Sequence, residues 1–353
     1  MRLALFSLIA LTCLFGCRSS DSPPQAGKQA PRLAGQTPQK GTQAEKGRWY
    51  PAGFGGAGNF LSVVADPKNP GVVYAASDVA GVFRSKNSGD SWEMRSVGLG
   101  NLEIPSLAID PFDPSTLYAA VGAFPKAHKA GLYVTRNAGE SWRHLPATQK
   151  HKITFRKYRN VASVAPDPAS KGTLLAGSAH NGLWRSTDAG RTWRRVLEAP
   201  LTRAALDMPD EQQETPMPYR APVSVVVFDP KSPKTVYAGL YGGGVFKSTT
   251  SGTKGSWKPA SKGLPRQATV KFLAVGPKGL VYVALAKAGV YRCDDGGGDW
   301  RSVSGNLPLK RKEGWFSAVA LHPARAKTVF AVMAAPDGPS VWKSSNGGKR
   351  WVA

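Results

Sequence analysis

The chain has 353 residues and three cysteines, and one of these, Cys13, lies in an apolar leader, so a disulfide-held scaffold is excluded. Its 47 Lys and Arg against 23 Asp and Glu give a formal charge of +24, which dictates no fold but favours solubility and anionic partners. The five histidines are scattered and no His and Cys grouping has metal-ligand spacing, so neither a metal site nor another cofactor is expected.

In chain order, Met1-Arg2 followed by an apolar stretch over residues 3–16 is too short to span a membrane as a mature helix. It ends Leu14-Phe15-Gly16-Cys17 and resembles a bacterial lipoprotein signal. That resemblance implies a signal peptide over 1–16, lipidation of Cys17, and a bacterial cell-envelope location. With Arg18 after the cysteine, the expected destination is the outer membrane where the host has one. Residues 17–48, with Pro23-Pro24 and repeated Gln, Gly, Lys and Ser, read as a flexible tether.

From residue 49 to 353 the sequence repeats. Six turns end in tryptophan, at 92, 142, 193, 257, 300 and 351, and the clearest is Ser186-Thr187-Asp188-Ala189-Gly190-Arg191-Thr192-Trp193. A period of about 40 to 50 residues belongs to an array or propeller rather than to one globular core. Upstream of each turn, three short apolar runs recur, such as Leu61-Ser62-Val63-Val64-Ala65, Val72-Val73-Tyr74-Ala75-Ala76 and Gly81-Val82-Phe83-Arg84-Ser85. They are too short for helices and predict strands. The first and second runs are joined by Asp66-Pro67, Asp110-Pro111, Asp167-Pro168 and Asp229-Pro230, where proline presets the bend.

In the hairpin after the third run, Asn87, Asn137, Asp188, Asp295 or Asn346 is expected to accept its own turn's amides while glycine takes a positive φ. Trp92, Trp142, Trp193, Trp257, Trp300 and Trp351 are structural, each ring contributing at most about 4 to 6 kcal/mol on burial. Three copies are degraded: residues 248–257 carry an insertion, Cys293 replaces Ser or Thr, and Arg350 precedes the last Trp. These units predict an all-β, six-bladed propeller of four-stranded antiparallel blades, with seven blades as the alternative. Trp49 and its neighbours are expected to supply the outer strand missing from the last blade.

The turns are similar to Asp-box (BNR) repeats of the sialidase superfamily and sortilin-type propellers. The unit from Val64-Ala65-Asp66-Pro67 to Val82-Phe83-Arg84-Ser85 also resembles photosystem II assembly-factor propellers and the first domain of xyloglucan-hydrolysing endoglucanases. The resemblance implies the fold and says little of function.

Connections from first to second and from third to fourth strands leave one face of such a ring, and the long insertions leave the other. That second face is expected to bind, through Lys126, Lys129, Lys150, Lys152, Arg156, Lys157, Tyr158, Arg159, Lys310, Arg311, Lys312 and Trp315. Tyr219-Arg220-Ala221-Pro222 spells a sialidase motif but opens the fourth blade rather than the first. Ala76-Ser77-Asp78-Val79-Ala80-Gly81 is similar to the xyloglucanase segment bearing one catalytic aspartate, which falls on Asp78. Hydrolysis needs a second carboxyl about 5 to 9.5 Å away, for which Glu313 and Glu103 are candidates. The alternative is that Asp78 merely caps the turn before Gly81.

The expectation that follows is a membrane-anchored, non-catalytic binding or assembly module holding an anionic glycan, lipid head groups or an acidic protein. Its alternative is a cell-surface glycoside hydrolase of xyloglucanase or sialidase type. No recognition motif supports nucleic acid.

Overall fold

The computed structural model describes residues 60–122, 130–150, 163–178, 181–202, 219–309, 315–322, 325–334 and 340–353. They form the six-bladed propeller. Each blade is a meander whose strands pair in sequence order, the first innermost. The first blade comprises Phe60–Ala65, Val73–Ser77, Val82–Ser85 and Glu93–Met94. The second comprises Ser106–Ile109, Leu117–Val121, Gly131–Thr135 and Arg143–His144, followed by a one-turn helix, Ala147–Lys150. The third comprises Ser163–Pro166, Leu174–Gly177, Leu183–Ser186 and Arg194–Leu197. A ribbon of Leu201–Thr202 with Tyr219–Arg220 then leads into the fourth, Val223–Phe228, Val236–Leu240, Gly244–Ser248 and Lys258–Pro259. The fifth comprises Val270–Val275, Val281–Leu285, Gly289–Cys293 and Arg301–Ser302, and the sixth Trp315–Leu321, Val329–Ala334 and Ser340–Ser344. A bridge from Lys343 to Val352 begins the sixth blade's outer strand. Trp49, expected to complete that strand, lies outside the described residues, as do Cys17 and the leader.

The turn predicted from the repeat forms in all six blades. The Ser or Thr hydroxyl that opens it receives the amide four residues on, as in Gly89 to Ser85 (2.8 Å), Gly139 to Thr135 (3.0 Å), Gly190 to Ser186 (2.9 Å) and Gly348 to Ser344 (2.8 Å). The same hydroxyl donates to the Asp or Asn two residues on, at 2.7 Å from Ser186 to Asp188. Two degraded copies keep this wiring. Cys293 Sγ donates to Asp295 at 2.6 Å and accepts from Gly297 at 2.9 Å, so the thiol fills the hydroxyl's place. In the fourth blade Ser248 still receives the Gly252 amide at 3.2 Å and contacts Ser256 across the insertion at 2.6 Å.

These hairpins and the Asp-Pro bends share one face. In every blade the left-handed residue of the hairpin donates to the carbonyl of the bend beside it: Ser88 to Gly71, Ala138 to Ser115, Ala189 to Gly172, Ser251 to Lys234, Gly296 to Gly279 and Gly347 to Lys327, at 2.7 to 2.8 Å. The bends are fixed by aspartate as well as proline, because Asp66, Asp110, Asp167 and Asp229 each accept the amide two residues on at 2.8 to 2.9 Å.

The apolar core lies between blades. Five of the six junctions carry a buried cluster among the described residues, such as Val64, Tyr74 and Val82 of the first blade against Leu107, Tyr133 and Trp142 of the second. Polar contacts reinforce the junctions. Tyr74, Tyr237 and Tyr282 donate to carbonyls of the next blade's hairpin at 3.1 to 3.3 Å. Trp142, Trp300 and Trp351 reach back through Nε1 to Arg95, Ala260 and Val303 of the preceding blade at 2.7 to 2.9 Å. Arg84, almost wholly buried, donates to the Ala138 carbonyl at 2.9 Å and pairs with Glu140 at 2.9 Å and Glu93 at 3.3 Å. Arg95 closes this network on the same two glutamates. The tryptophans were expected to be structural, and these three are fasteners between blades.

Candidate functional site on the loop face

The six inner strands enclose a central channel of about 450 Å³. Pro67, Pro111, Pro168 and Pro230 ring its turn-face end, and Val64, Leu107, Val226 and Leu273 line its wall. At the opposite mouth, Lys271 stands with its ammonium 4.7 Å from the centre of the Tyr241 ring. It is placed there by a bulge between Val270 and Phe272, which turns an extra residue out of the ladder.

On this loop face, Asp78 occupies the turn between the second and third strands of the first blade. Ser77 builds that turn: its hydroxyl accepts the amides of Val79 (3.1 Å) and Ala80 (3.0 Å), and its own amide donates to Gly81 (2.9 Å). Ser77 thus caps this turn, and Asp78, half-buried on it, has contacts of its own. The connection over residues 95–105 lies across the turn, with Gly81 donating to Leu102 and Ile104 to Ser77, both at 2.8 Å. It carries Glu103 past that turn to the second blade, where the Glu103 carbonyl accepts the Gly122 amide at 2.8 Å. Glu103 is 8% exposed, and its carboxylate lies against Gly122, where a Cβ would stand 2.3 Å from Oε2. Only glycine permits that approach. Val79 (56% exposed) and Leu102 (39%) give the site an apolar margin.

Trp315 opens the inner strand of the sixth blade, opposite Ala334, on the same face and on the blade that adjoins the first across the ring. The remaining expected residues are not brought into view. Glu313, Lys126, Lys129, Lys152, Arg156, Lys157, Tyr158, Arg159, Lys310, Arg311 and Lys312 lie outside the described residues, and of Lys150 only the backbone, in its helix, is described. Tyr219 and Arg220 belong to the ribbon before the fourth blade, consistent with a chance match to the sialidase motif.

Exposed cations also lie on the opposite face. The short bends and hairpins of the other face present Lys68, Lys86, Arg136, Lys171, Arg191 and Lys254, all exposed. Each such turn spends its Asp, Asn, Ser and Gly on closing the bend, and these cations occupy positions left over, which face water.

No family model matches the chain. It is 27% identical over 214 residues to an oligoxyloglucan-reducing end-specific xyloglucanase of Emericella nidulans, covering 59% of this chain and 24% of the relative. It is 25% identical over 344 residues to a xyloglucanase of Hypocrea jecorina, covering 86% and 39%. Among solved structures, the GH74 xyloglucanase of Xanthomonas campestris superposes with a TM-score of 0.66 at 24% identity, over 84% of this chain and 45% of that one. The chain thus spans less than half the length of the relatives it matches, and what it resembles in them is a xyloglucanase propeller.

Proposed function

We propose that this propeller acts as a glycoside hydrolase on a xyloglucan-type polysaccharide, with Asp78 as one of its two carboxyl groups. The xyloglucanase relatives favour this alternative over the non-catalytic module first expected from the sequence. The observation that carries it is the position of Asp78 on an exposed turn whose amides are already capped by Ser77. A β-linked chain lying across the loop face would meet that turn and the carboxylate it carries. In such a reaction one carboxyl protonates the departing glycosidic oxygen while the other attacks the anomeric carbon or activates water. Glu313, from the connection before Trp315, is the proposed partner. Trp315 supplies an aromatic face on which a sugar ring can stack.

The test is release of reducing ends from xyloglucan, with sugar binding measured separately by calorimetry. Asp78→Asn is expected to lower hydrolysis by about 10² to 10⁴ while leaving the thermal melt unchanged. Wild-type protein that binds xyloglucan without cleaving it would refute the hydrolase reading and leave a glycan-binding propeller.

A further inference from the structure

We propose that the turn face, opposite the candidate site, is a docking surface for a bilayer bearing anionic phospholipid head groups. The Asp-Pro bends contribute Lys68, Lys171 and Lys231, the corresponding bend of the sixth blade contributes Lys327, and the tryptophan-ended hairpins contribute Lys86, Arg136, Arg191, Lys254 and Lys349. All are exposed, and among the described residues none makes an ion pair with a carboxylate. Exposed acids of the same hairpins are engaged elsewhere. Glu140 pairs with Arg84 and Arg95, Asp299 with Lys262, and Asp294 with Arg292 and Arg301. Asp295 is held by its own turn, accepting from Cys293 and Gly298, which leaves Asp90 as an exposed acid beside Lys86. The face therefore carries exposed cations on five of its six blades among the described residues.

The arrangement fits a plane rather than a strand. The cations sit on short turns repeated round a ring and locked side by side by the six hairpin-to-bend hydrogen bonds. A linear polyanion calls for a track of cations along one line, whereas a membrane surface meets every blade at once. Phe112, 40% exposed on the second blade's bend and next to Lys68, whose ammonium donates to its carbonyl at 3.1 Å, adds an apolar contact at head-group depth. Docked in this way, the propeller would present its loop face and Asp78 away from the bilayer.

The experiment is co-sedimentation of the full chain carrying Cys17→Ser, so that no acyl group contributes, with vesicles of phosphatidylcholine alone or mixed with phosphatidylglycerol. Phosphatidylglycerol is expected to strengthen binding more than tenfold at low ionic strength, and physiological salt to weaken it. At about fivefold for each cation near the surface, the variant Lys68→Glu, Arg136→Glu, Lys171→Glu, Arg191→Glu is expected to bind more weakly by about 600-fold or more. A variant altered on the loop face, Arg266→Glu, Lys287→Glu, is expected to retain most of the binding, against the loss in a turn-face variant of equal net charge, Lys171→Glu, Arg191→Glu. Equal losses in the two double variants, no effect of phosphatidylglycerol, or binding to soluble polyphosphate but not to vesicles would each overturn the proposal. Thermal melts of all three variants verify that each is folded.

Discussion

Replacing Ser186 by alanine tests whether the opening hydroxyl of each hairpin holds the blade together. Its oxygen is buried, accepts the Gly190 amide at 2.9 Å and donates to Asp188 at 2.7 Å. Asp188 would not be orphaned, since Thr192 still donates to it through its amide (2.9 Å) and hydroxyl (2.6 Å). The Gly190 amide is buried and loses its partner, which costs about 1 to 3 kcal/mol. The expected loss is therefore about 2 kcal/mol, seen as a fall in Tm on the order of 4 °C. Ser186→Cys should lose much less, because Cys293 does the same work in the fifth blade. Urea titrations followed by tryptophan fluorescence would measure both. Alanine within about 0.5 kcal/mol of wild type, or cysteine as damaging as alanine, would show that the hydroxyl is a passive space-filler.

Two further outcomes follow from the geometry. Gly263 has φ +89°, and a Cβ there would meet the Trp300 carbonyl at 2.2 Å, whereas Gly255, at φ +82°, has open space around it. Gly255→Ala should cost only backbone strain, about 1 to 2 kcal/mol, and Gly263→Ala more than about 3 kcal/mol; equal melting temperatures would contradict the packing. In alkali, burial raises the phenols of Tyr74, Tyr118, Tyr133, Tyr237 and Tyr282, Tyr118 to about 12. A phenol whose pKa rises on folding keeps its full contribution below the unfolded value near 10 and loses it as the pH climbs toward the folded one. Stability should hold to about pH 10 and then fall steeply, with phenolate absorbance appearing together with unfolding. Phenolate forming well before the fluorescence transition would show these rings to be accessible.

The architecture was legible because its signals are local. A hydroxyl, an amide-accepting Asp or Asn, a glycine and a tryptophan within eight residues close a hairpin without help from distant parts of the chain, and aspartate before proline does the same for the bends. Even Cys293, which reads as a degraded copy, preserves the donor and acceptor pattern that the turn requires. The joints between blades were not legible. Nothing in the spacing of Tyr237 and Gly296, 59 residues apart, or of Trp142 and Arg95, announces that one bonds the other. The candidate site was half legible. Asp78 stood out by its segment, but that Ser77 caps its turn, and that Glu103 reaches Gly122, depends on how the 95–105 connection folds back. The cations of the turn face were not legible for a simpler reason: single lysines on repeated short turns add up only when the turns are seen on one surface.

The thiol of Cys293 has a practical consequence. It has no exposed surface, sits inside its own hairpin, and belongs to the cluster packed between the fourth and fifth blades. A small alkylating reagent can reach it only while those two blades part, so its rate of labelling is a clock for the breathing of one seam. Once Cys13 and Cys17 are replaced, the chain carries this single reporter, placed on the side of the ring away from Asp78 and able to register whether a bound glycan or membrane tightens the circle as a whole.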